Sequence, residues 1–361
     1  MSKRPADLVR DEVLAMTAYH VGPSEGLVKL DAMENPYRLP AELAEEMGRR
    51  LAAVPVNRYP DPGHAGLKAR LRATMGIAEG MQIVLGNGSD EVIQMLSLLV
   101  ARPGAVVLSV EPSFVMYRVS ARVAGMRHVG VPLNADFTLD LPRLLDAIAT
   151  HRPALTWLAY PNNPTGNLFP RDALLRVLAA SPGLVAIDEA YFPFSGGASM
   201  LGELGRHPNL VLVRTVSKLG LAGVRLGFAA GPAAWMGELE KLRPPYNVNS
   251  LTAAAVDLLL ERREVLDGQA VRIVAERERL ERGLDAIANV RRFPSAANFV
   301  LARVTDGPRT FEALRERGIL VKTLDGSHPL LAHCLRLTVG SPDENAKLLE
   351  ALASILGPNH A

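Results

Sequence analysis

The sequence lacks the features that mark secreted and membrane proteins. Its single cysteine, Cys334, excludes an internal disulfide and fits a reducing compartment. The charged segment 1–10 has no apolar core of the kind that a signal peptide needs. No apolar run is long enough for a transmembrane helix, since the longest candidate, 251–260, is interrupted by Asp257. These absences predict a cytoplasmic protein.

Other absences narrow the range of partners. The formal net charge of only +2 in 361 residues gives no reason to expect a nucleic acid or a membrane surface as partner. The eight histidines show no ligand spacing, and no C-x-x-C or H-E-x-x-H pattern occurs, so no metal site is predicted. We find no internal repeat and no low-complexity tract. A length of 361 residues predicts about two domains.

What the sequence does contain, from residue 64 onward, is an alternation of apolar strands and helices. Several strands are continuous apolar runs, as in Leu184-Val-Ala-Ile187. Buried apolar strands that alternate with helices are typical of an α/β fold with a mostly parallel sheet flanked by helices. The seven predicted strands are 82–85, 105–109, 127–131, 155–160, 184–188, 210–214 and 226–230.

The remaining segments complete the predicted organisation. Residues 1–40 are expected to form an N-terminal arm, and residues 41–249 a large domain that contains the seven-stranded sheet. A long helical pattern at 250–287 leads into a smaller α+β C-terminal domain, 250–361. That domain has predicted strands near 298–303 and 334–339 and a final helix that begins with a capping box at Ser341-Pro-Asp-Glu344.

Four polar motifs fall at the carboxyl ends of predicted strands. Ser89 lies in a glycine-rich turn that opens a helix, Asn163 in a proline-rich turn, Asp188 at the end of an apolar strand, and Lys218 in a glycine-rich loop. Each motif alone is weak: Ser89 is as well explained by a helix cap, Asn163 normally only caps the backbone of a turn, and a lone Lys218 is better explained as a solvated loop residue. In open α/β sheets, however, the carboxyl ends of the strands meet at the ligand-binding crevice.

Together these motifs supply an anion site at a helix start, an amide, a carboxylate and an amine. That is the set of groups that pyridoxal 5′-phosphate requires: a lysine for a Schiff base, a carboxylate for the pyridinium nitrogen and donors for the phosphate. Ser217 and Arg225, next to Lys218, are predicted to share the phosphate. The sequence therefore predicts a pyridoxal-phosphate site.

Two other residues have possible ligand roles but also ordinary explanations. Arg336 alternates with Leu335 and Leu337 on a strand, so it is either a clamp for a substrate anion or an exposed-face arginine. Tyr59 lies in the stiff segment 54–63, which contains three prolines, and is either presented to a ligand or half-buried in a surface linker.

Nucleotide-binding alternatives are disfavoured by missing residues. The glycine-rich turn at 86–91 lacks the third glycine of the dinucleotide fingerprint, because Glu91 stands there. Asp188 and Glu189 after an apolar strand are similar to a Walker B element, but no G-x-x-x-x-G-K-[ST] loop accompanies them.

The motifs resemble those of fold type I pyridoxal-phosphate aminotransferases, and within them the histidinol-phosphate aminotransferases, over nearly the whole chain. The most specific motif is Ser-Lys-x-Gly-Leu-Ala-Gly-x-Arg-x-Gly around Lys218. The other matching motifs are Asn-Pro-Tyr at 35–37, Arg-Tyr-Pro-Asp at 58–61, Gly-Asn-Gly-Ser-Asp-Glu at 86–91, Pro-Asn-Asn-Pro-Thr-Gly at 161–166, Asp-Glu-Ala-Tyr at 188–191, Pro-Tyr-Asn-Val-Asn at 245–249 and Leu-Arg-Leu-Thr-Val-Gly at 335–340.

The resemblance implies a role for each matching residue. Lys218 is the Schiff-base lysine and proton-transfer base, and Asp188 pairs with the pyridine nitrogen. Asn163 and Tyr191 bond the cofactor's phenolic oxygen, and Phe114 stacks on its ring. The implied phosphate ligands are Ser89, Asp90, Ser217, Arg225 and, from the partner subunit of an obligatory homodimer, Tyr59. The implied substrate-binding residues are Tyr19, Asn35, Asn163, Lys322 and Arg336.

The chain departs from the family pattern at three places. The loop from Lys218 to Arg225 is one residue shorter than the commoner pattern, and Phe114 stands where a tyrosine is frequent. Lys322 stands where many relatives have an arginine for a distal anion, and lysine keeps the charge without the bidentate fork.

The function implied is transamination between L-histidinol phosphate and 2-oxoglutarate, which yields imidazole-acetol phosphate and glutamate in histidine biosynthesis. Threonine-phosphate decarboxylase and an aromatic or broad-specificity aminotransferase are alternatives on the same scaffold. A non-catalytic regulator of this fold usually has a preceding DNA-binding domain, for which the forty-residue arm has no room.

Overall fold

The computed structural model describes residues 4–18 and 22–357, which form two β-sheets and the helices around them. The strands are β1 (Val28–Leu30), β2 (Met81–Asn87), β3 (Val106–Glu111), β4 (Arg127–Pro132), β5 (Leu155–Ala159), β6 (Leu184–Asp188), β7 (Leu210–Thr215), β8 (Leu226–Pro232), β9 (Val290–Arg292), β10 (Phe299–Val304), β11 (Ile319–Thr323) and β12 (Cys334–Thr338). The α-helices are α1 (Asp11–Leu14), α2 (Ala41–Ala52), α3 (Ala65–Met75), α4 (Ser89–Leu99), α5 (Met116–Val123), α6 (Leu141–His151), α7 (Arg171–Ala180), α8 (Ala233–Glu240), α9 (Ser250–Glu261), α10 (Arg263–Asp285), α11 (Gly307–Glu316) and α12 (Pro342–Leu356).

The larger sheet has seven strands in the order β2-β8-β7-β6-β5-β3-β4. Neighbouring strands from β7 through β4 run parallel, whereas β8 is antiparallel to both β2 and β7. The predicted α/β fold with a mostly parallel, seven-stranded sheet is confirmed, and all seven predicted strands are present. Strands β5 and β6 are buried along their whole length, as their continuous apolar runs predict.

Helices cover both faces of this sheet. Successive side chains of a strand point to opposite faces, so Val84 and Trp157 pack with α4, α5 and α8 on one side. Leu85 and Leu158 pack on the other side with α3, α6, α7 and α9. Because the helices occupy both faces, the free crevice lies at the carboxyl edge of the parallel strands.

The smaller sheet has the order β1-β11-β12-β10-β9 and packs against α10, α11 and α12. Strand β1, from the segment predicted to be an arm, pairs in parallel with β11. The predicted capping box is present at α12, where Ser341 accepts a hydrogen bond from the Glu344 backbone and Glu344 Oε2 accepts one from the Ser341 backbone N–H. The domain boundaries at residues 40 and 249 stay a prediction.

The helical pattern predicted to run from 250 to 287 is broken in the structure. Arg262, with φ −108° and ψ 34°, leaves the helical region and separates α9 from α10. The break follows from two different packing demands. Apolar α9 lies on α2 and α3 beside the large sheet, whereas charged α10 runs along the small sheet. Over residues 4–18 and 22–357, no helix is long and apolar enough to cross a membrane.

Candidate active site

The carboxyl ends of the large-sheet strands enclose a cavity. Ser89, Asn163, Asp188 and Lys218, from the four motifs that were expected to converge, all line it. Asp90, Phe114, Tyr191, Ser217 and Arg225 also line this first cavity. The structure therefore brings an amine, a carboxylate, an amide and an anion-binding turn into one space.

Asp188 ends β6 and is only 5% exposed. Its Oδ2 accepts a hydrogen bond of 2.8 Å from the Tyr117 hydroxyl, and its Oδ1 accepts one of 3.0 Å from the Ala190 backbone N–H. Burial raises the pKa of Asp188 to about 6, while these two hydrogen bonds act in the opposite direction. A carboxylate in this position is suited to a cationic N–H partner in the cavity.

Tyr117 is a site residue that the sequence analysis missed. Besides bonding Asp188, it lies edge-on to Phe114 at 5.6 Å and stacks on Trp157 at 4.7 Å between ring centroids. Burial raises the pKa of its hydroxyl, which therefore stays a donor. The available signal was its spacing, since Tyr117 follows Phe114 by three residues at the start of a helix, where both side chains share one face.

Lys218 follows β7 in a short 3₁₀ turn and projects into the cavity. Its Nζ donates a hydrogen bond of 3.3 Å to the Ala32 carbonyl oxygen and lies 5.9 Å from the centroid of the Tyr191 ring. Burial lowers the pKa of Lys218 to about 8, and the Arg336 guanidinium contributes in the same direction. About a tenth of this amine is therefore neutral, and nucleophilic, at pH 7, far more than for an exposed lysine.

This lowered pKa predicts the reactivity of the apoenzyme. We expect the rate of acetylation of Lys218 by a trace of acetic anhydride to rise about tenfold per pH unit up to pH 8 and to level off above it. The measurement is competitive labelling followed by peptide mass spectrometry, with the exposed Lys347 on α12 as internal reference. A midpoint above pH 10 would show that the amine is not desolvated.

The other end of the cavity is built to receive an anion. Helix α4 begins there at Ser89, preceded by Gly88 with φ +84°, a conformation that strains other residues. The Arg225 guanidinium reaches this helix start, and its Nη2 lies 3.4 Å from Asp90 Oδ2. Free backbone N–H groups, the helix dipole and a guanidinium form a suitable site for a phosphate. The loop before Arg225 contains two 3₁₀ turns, Ser217–Leu219 and Ala222–Val224.

Asn163 connects the two sides of the cavity. Its Nδ2 donates to the Tyr191 hydroxyl at 3.2 Å, and its Oδ1 accepts from Arg336 Nη1 at 2.7 Å. A second nitrogen of Arg336 donates to the Asp31 carbonyl oxygen at 2.9 Å. Burial raises the pKa of Tyr191. This network gives the amide and the guanidinium fixed orientations before any ligand binds.

A second cavity adjoins the first and shares Met33, Phe114 and Asn163 with it. Lys322 on β11 and Arg336 on β12 also line it. The two residues are direct partners in the antiparallel pairing of these strands, so their side chains lie on the same face of the small sheet. Two adjacent cations in a cavity next to Lys218 suit an anionic substrate group.

Two described residues with predicted ligand roles, Asn35 and Tyr59, do not line either cavity. The Asn35 amide donates to Gln269 Oε1 at 2.8 Å and to the Leu219 carbonyl oxygen at 3.4 Å, so Asn35 braces the lysine loop; its substrate contact stays a prediction. Tyr59 is 80% exposed and stacks on Tyr246 at 4.5 Å, away from the cavity of its own chain. Tyr19 lies outside the described residues.

Comparison with known proteins adds to this geometry. Residues 25–352 match the family described as aminotransferase class I and II. The chain is 53% identical over 354 residues to histidinol-phosphate aminotransferase 2 of Cupriavidus pinatubonensis, which covers 97% of this chain and 96% of that protein. It is 53% identical over 345 residues to the histidinol-phosphate aminotransferase of Chromobacterium violaceum, over 96% and 97% of the two chains.

Solved structures share the fold. The histidinol-phosphate aminotransferase of Sinorhizobium meliloti in complex with pyridoxal 5′-phosphate matches with a TM-score of 0.85 and 24% identity, over 96% of each chain. The L-threonine-O-3-phosphate decarboxylase of Porphyromonas gingivalis matches with a TM-score of 0.79 and 21% identity, over 91% of this chain and 99% of that one. The fold alone does not separate the two reactions, whereas the sequence match does favour one. The chain belongs to the class I and II aminotransferases, in the branch that contains the histidinol-phosphate aminotransferases.

Proposed function

We propose that this protein is a pyridoxal-phosphate aminotransferase. It transfers the amino group of L-histidinol phosphate to 2-oxoglutarate and so yields imidazole-acetol phosphate and glutamate. The observation that carries the proposal is the position of the Lys322 and Arg336 pair in a cavity that opens onto Lys218. A substrate that has both an amine and a distal phosphate requires this arrangement, in which the reactive Lys218 lies beside two cations that can bind the phosphate. The 53% identical relatives favour transamination over decarboxylation of such a substrate.

The residues of the first cavity fit pyridoxal 5′-phosphate. Ser89, Asp90, Ser217 and Arg225 form the phosphate end, and Asp188 offers a buried carboxylate to the pyridine nitrogen. Lys218 lies in the same cavity and supplies the amine to which the cofactor aldehyde attaches. Phe114 offers a ring face, and Asn163 and Tyr191 offer donors to a phenolic oxygen. Every polar group of the cofactor therefore has a partner of complementary chemistry.

The side chains of this chain have defined tasks in the reaction. When bound, pyridoxal 5′-phosphate supplies an electron sink that stabilises negative charge at the substrate Cα. The Lys218 amine would take the proton from the substrate Cα and return it at C4′, the carbon that carried the cofactor aldehyde, a task for which a pKa of about 8 is well matched. The Asp188 carboxylate holds a proton on the pyridine nitrogen.

Substrate orientation follows from the two cations of the second cavity. Arg336, already fixed by Asn163 and by the Asp31 carbonyl oxygen, binds the α-carboxylate of glutamate or the phosphate of histidinol phosphate. Lys322 neutralises the remaining charge of the phosphate. The three N–H donors of the lysine ammonium match a dianion whose oxygens point in several directions.

We further propose a cytoplasmic homodimer with shared active sites. Tyr59 and Tyr246 form an exposed stacked pair, and the nearby positions in the sequence include the exposed apolar side chains Val56 and Leu251. Such a surface supports a contact with a second copy, in which Tyr59 reaches the partner's phosphate site. Light scattering on the purified enzyme measures the mass, and a monomer that is fully active would contradict this part of the proposal.

The function is tested by half-reactions on the purified holoenzyme. We expect histidinol phosphate to abolish the visible absorption of the cofactor much faster than phenylalanine does, with one keto product formed per site. A preference for phenylalanine would indicate a broad-specificity aminotransferase. Release of carbon dioxide from threonine phosphate, without a keto product, would indicate a decarboxylase on the same fold.

A further inference from the structure

Two polar side chains of the second cavity have no part in the transfer chemistry described so far. Glu111 ends β3, and His328 lies in the segment between β11 and β12. Among the described residues that line this cavity, Glu111 is the one carboxylate and His328 the one imidazole. Glu111 belongs to the large sheet and His328 to a connection of the small sheet, and both line the same cavity.

The Glu111 carboxylate is held in place by its surroundings. Gly130 on β4 provides the room, because a Cβ at this position would overlap the Glu111 side chain. The ionisable neighbours of Glu111 are Arg118, with Nη1 3.7 Å from Oε1, and His128, with Nδ1 4.0 Å from Oε1. Both distances exceed that of a hydrogen bond, so the carboxylate oxygens keep accepting capacity toward the cavity.

The hydrogen bonds of His328 define its tautomer. Its Nδ1 accepts a hydrogen bond of 3.1 Å from the Leu330 backbone N–H and so caps the short helix that follows. Burial lowers the pKa of His328, Arg118 acts in the same direction, and Glu111 opposes them. A neutral ring whose Nδ1 accepts must carry its proton on Nε2. His328 therefore presents a donor, and Glu111 an acceptor.

We propose that Glu111 and His328 recognise the imidazole ring of the substrate, an inference that rests on the proposed function. The Glu111 carboxylate accepts the N–H of that ring, and the Nε2–H of His328 donates to the other ring nitrogen. A neutral imidazole has one donor and one acceptor and satisfies both partners. A phenyl ring has neither and leaves both polar side chains unpaired, so the pair discriminates against aromatic substrates of similar size.

A matched pair of substrates isolates this recognition. Phenylalaninol phosphate has the amine and the phosphate of histidinol phosphate but a phenyl ring in place of imidazole. The ratio of kcat/KM for the two compounds, measured in half-reactions of the holoenzyme, therefore reports on the ring alone. In Glu111→Ala we expect this ratio to fall about 10- to 100-fold, because kcat/KM decreases for histidinol phosphate and not for phenylalaninol phosphate. The half-reaction with glutamate, which has no ring, is expected to lose much less kcat/KM than the half-reaction with histidinol phosphate.

Two substitutions of His328 distinguish the roles of its two ring nitrogens. His328→Asn keeps an acceptor for the Leu330 N–H but loses the Nε2 donor, and we expect the ratio to fall about tenfold. His328→Gln places an amide N–H near the Nε2 position and is expected to retain more of the preference than His328→Asn. If His328→Asn and the wild-type enzyme have the same ratio of kcat/KM for the two phosphates, His328 does not recognise the imidazole ring.

Further variants keep the test decisive. If Glu111→Ala is poorly folded, Gly130→Ala displaces the carboxylate without removing it, and an intermediate loss of the ratio is expected. Equal losses for both phosphates and for glutamate would assign Glu111 a structural role and overturn the inference. A wild-type enzyme that does not convert histidinol phosphate would instead overturn the proposed function, which is a different and separately visible result.

Discussion

Lys218→Ala is expected to reduce transamination by about 10⁴-fold or more, because it removes both the nucleophilic amine and the base that moves the Cα proton. The structure places no second lysine among the described residues of the first cavity that takes over either task. The measurement is the half-reaction with histidinol phosphate in single turnover. Borohydride reduction followed by mass spectrometry provides a second readout, since the variant should show no covalently attached cofactor at residue 218.

Lys218→Arg is the matched control for this prediction. Arginine keeps a positive charge in the cavity but stays protonated at all relevant pH values, so it is expected to be as inactive as alanine. Thermal unfolding of the apoenzyme should be unchanged or slightly raised in Lys218→Ala, because burial already opposes the lysine charge. A variant that retained covalent cofactor or full single-turnover rates would contradict the assignment of Lys218.

Asp188→Asn is expected to reduce the single-turnover rate of transamination about 10²- to 10³-fold, in the range found when one preorganised electrostatic partner is lost. The amide has nearly the same shape but no charge with which to keep a proton on the pyridine nitrogen. Cofactor attachment at Lys218 should persist, so the loss appears in the rate of Cα proton transfer. The measurement is the rate with α-deuterated and α-protiated glutamate, with a larger isotope effect expected in the variant.

Tyr117→Phe is a graded control for Asp188. It removes the hydroxyl that donates to Oδ2 and leaves the stacked ring, so the pKa of Asp188 should rise further. A higher pKa moves the acid limb of the pH–rate profile to higher pH, with a smaller rate loss at pH 8 than in Asp188→Asn. If Asp188→Asn kept the wild-type rate and isotope effect, Asp188 would not be the pyridine partner.

The large sheet and the residues on its strand ends were predictable because their signals are local. Apolar strands such as Leu184–Asp188 have continuous patterns, and parallel pairing then places Asp188 and Lys218 at one edge. Strands β1, β9 and β11 of the small sheet were not predicted. Strands β1 and β9 have only three residues each, and so short a segment shows no periodicity. Their pairing depends on partners elsewhere in the chain, which the local pattern does not contain.

Contacts between distant segments were equally inaccessible. Tyr117 and Asp188 are 71 residues apart, and only the packing of α5 against the sheet brings the hydroxyl to the carboxylate. The break at Arg262 is likewise set by the surfaces on which α9 and α10 lie, since both helices have good helical sequences. The second cavity needs both sheets, so Glu111 and His328 could not be paired from the sequence.

The pairing of β1 with β11 gives the N-terminal segment a direct share in the chemistry. Immediately after β1, the carbonyl oxygen of Asp31 accepts from Arg336 and that of Ala32 accepts from Lys218. These two consecutive peptide groups connect the small sheet to Lys218. A displacement of the small sheet therefore also moves the hydrogen-bond acceptor of the Lys218 amine. Protein engineering should therefore treat β1 and the two residues that follow it, Asp31 and Ala32, as part of the catalytic apparatus.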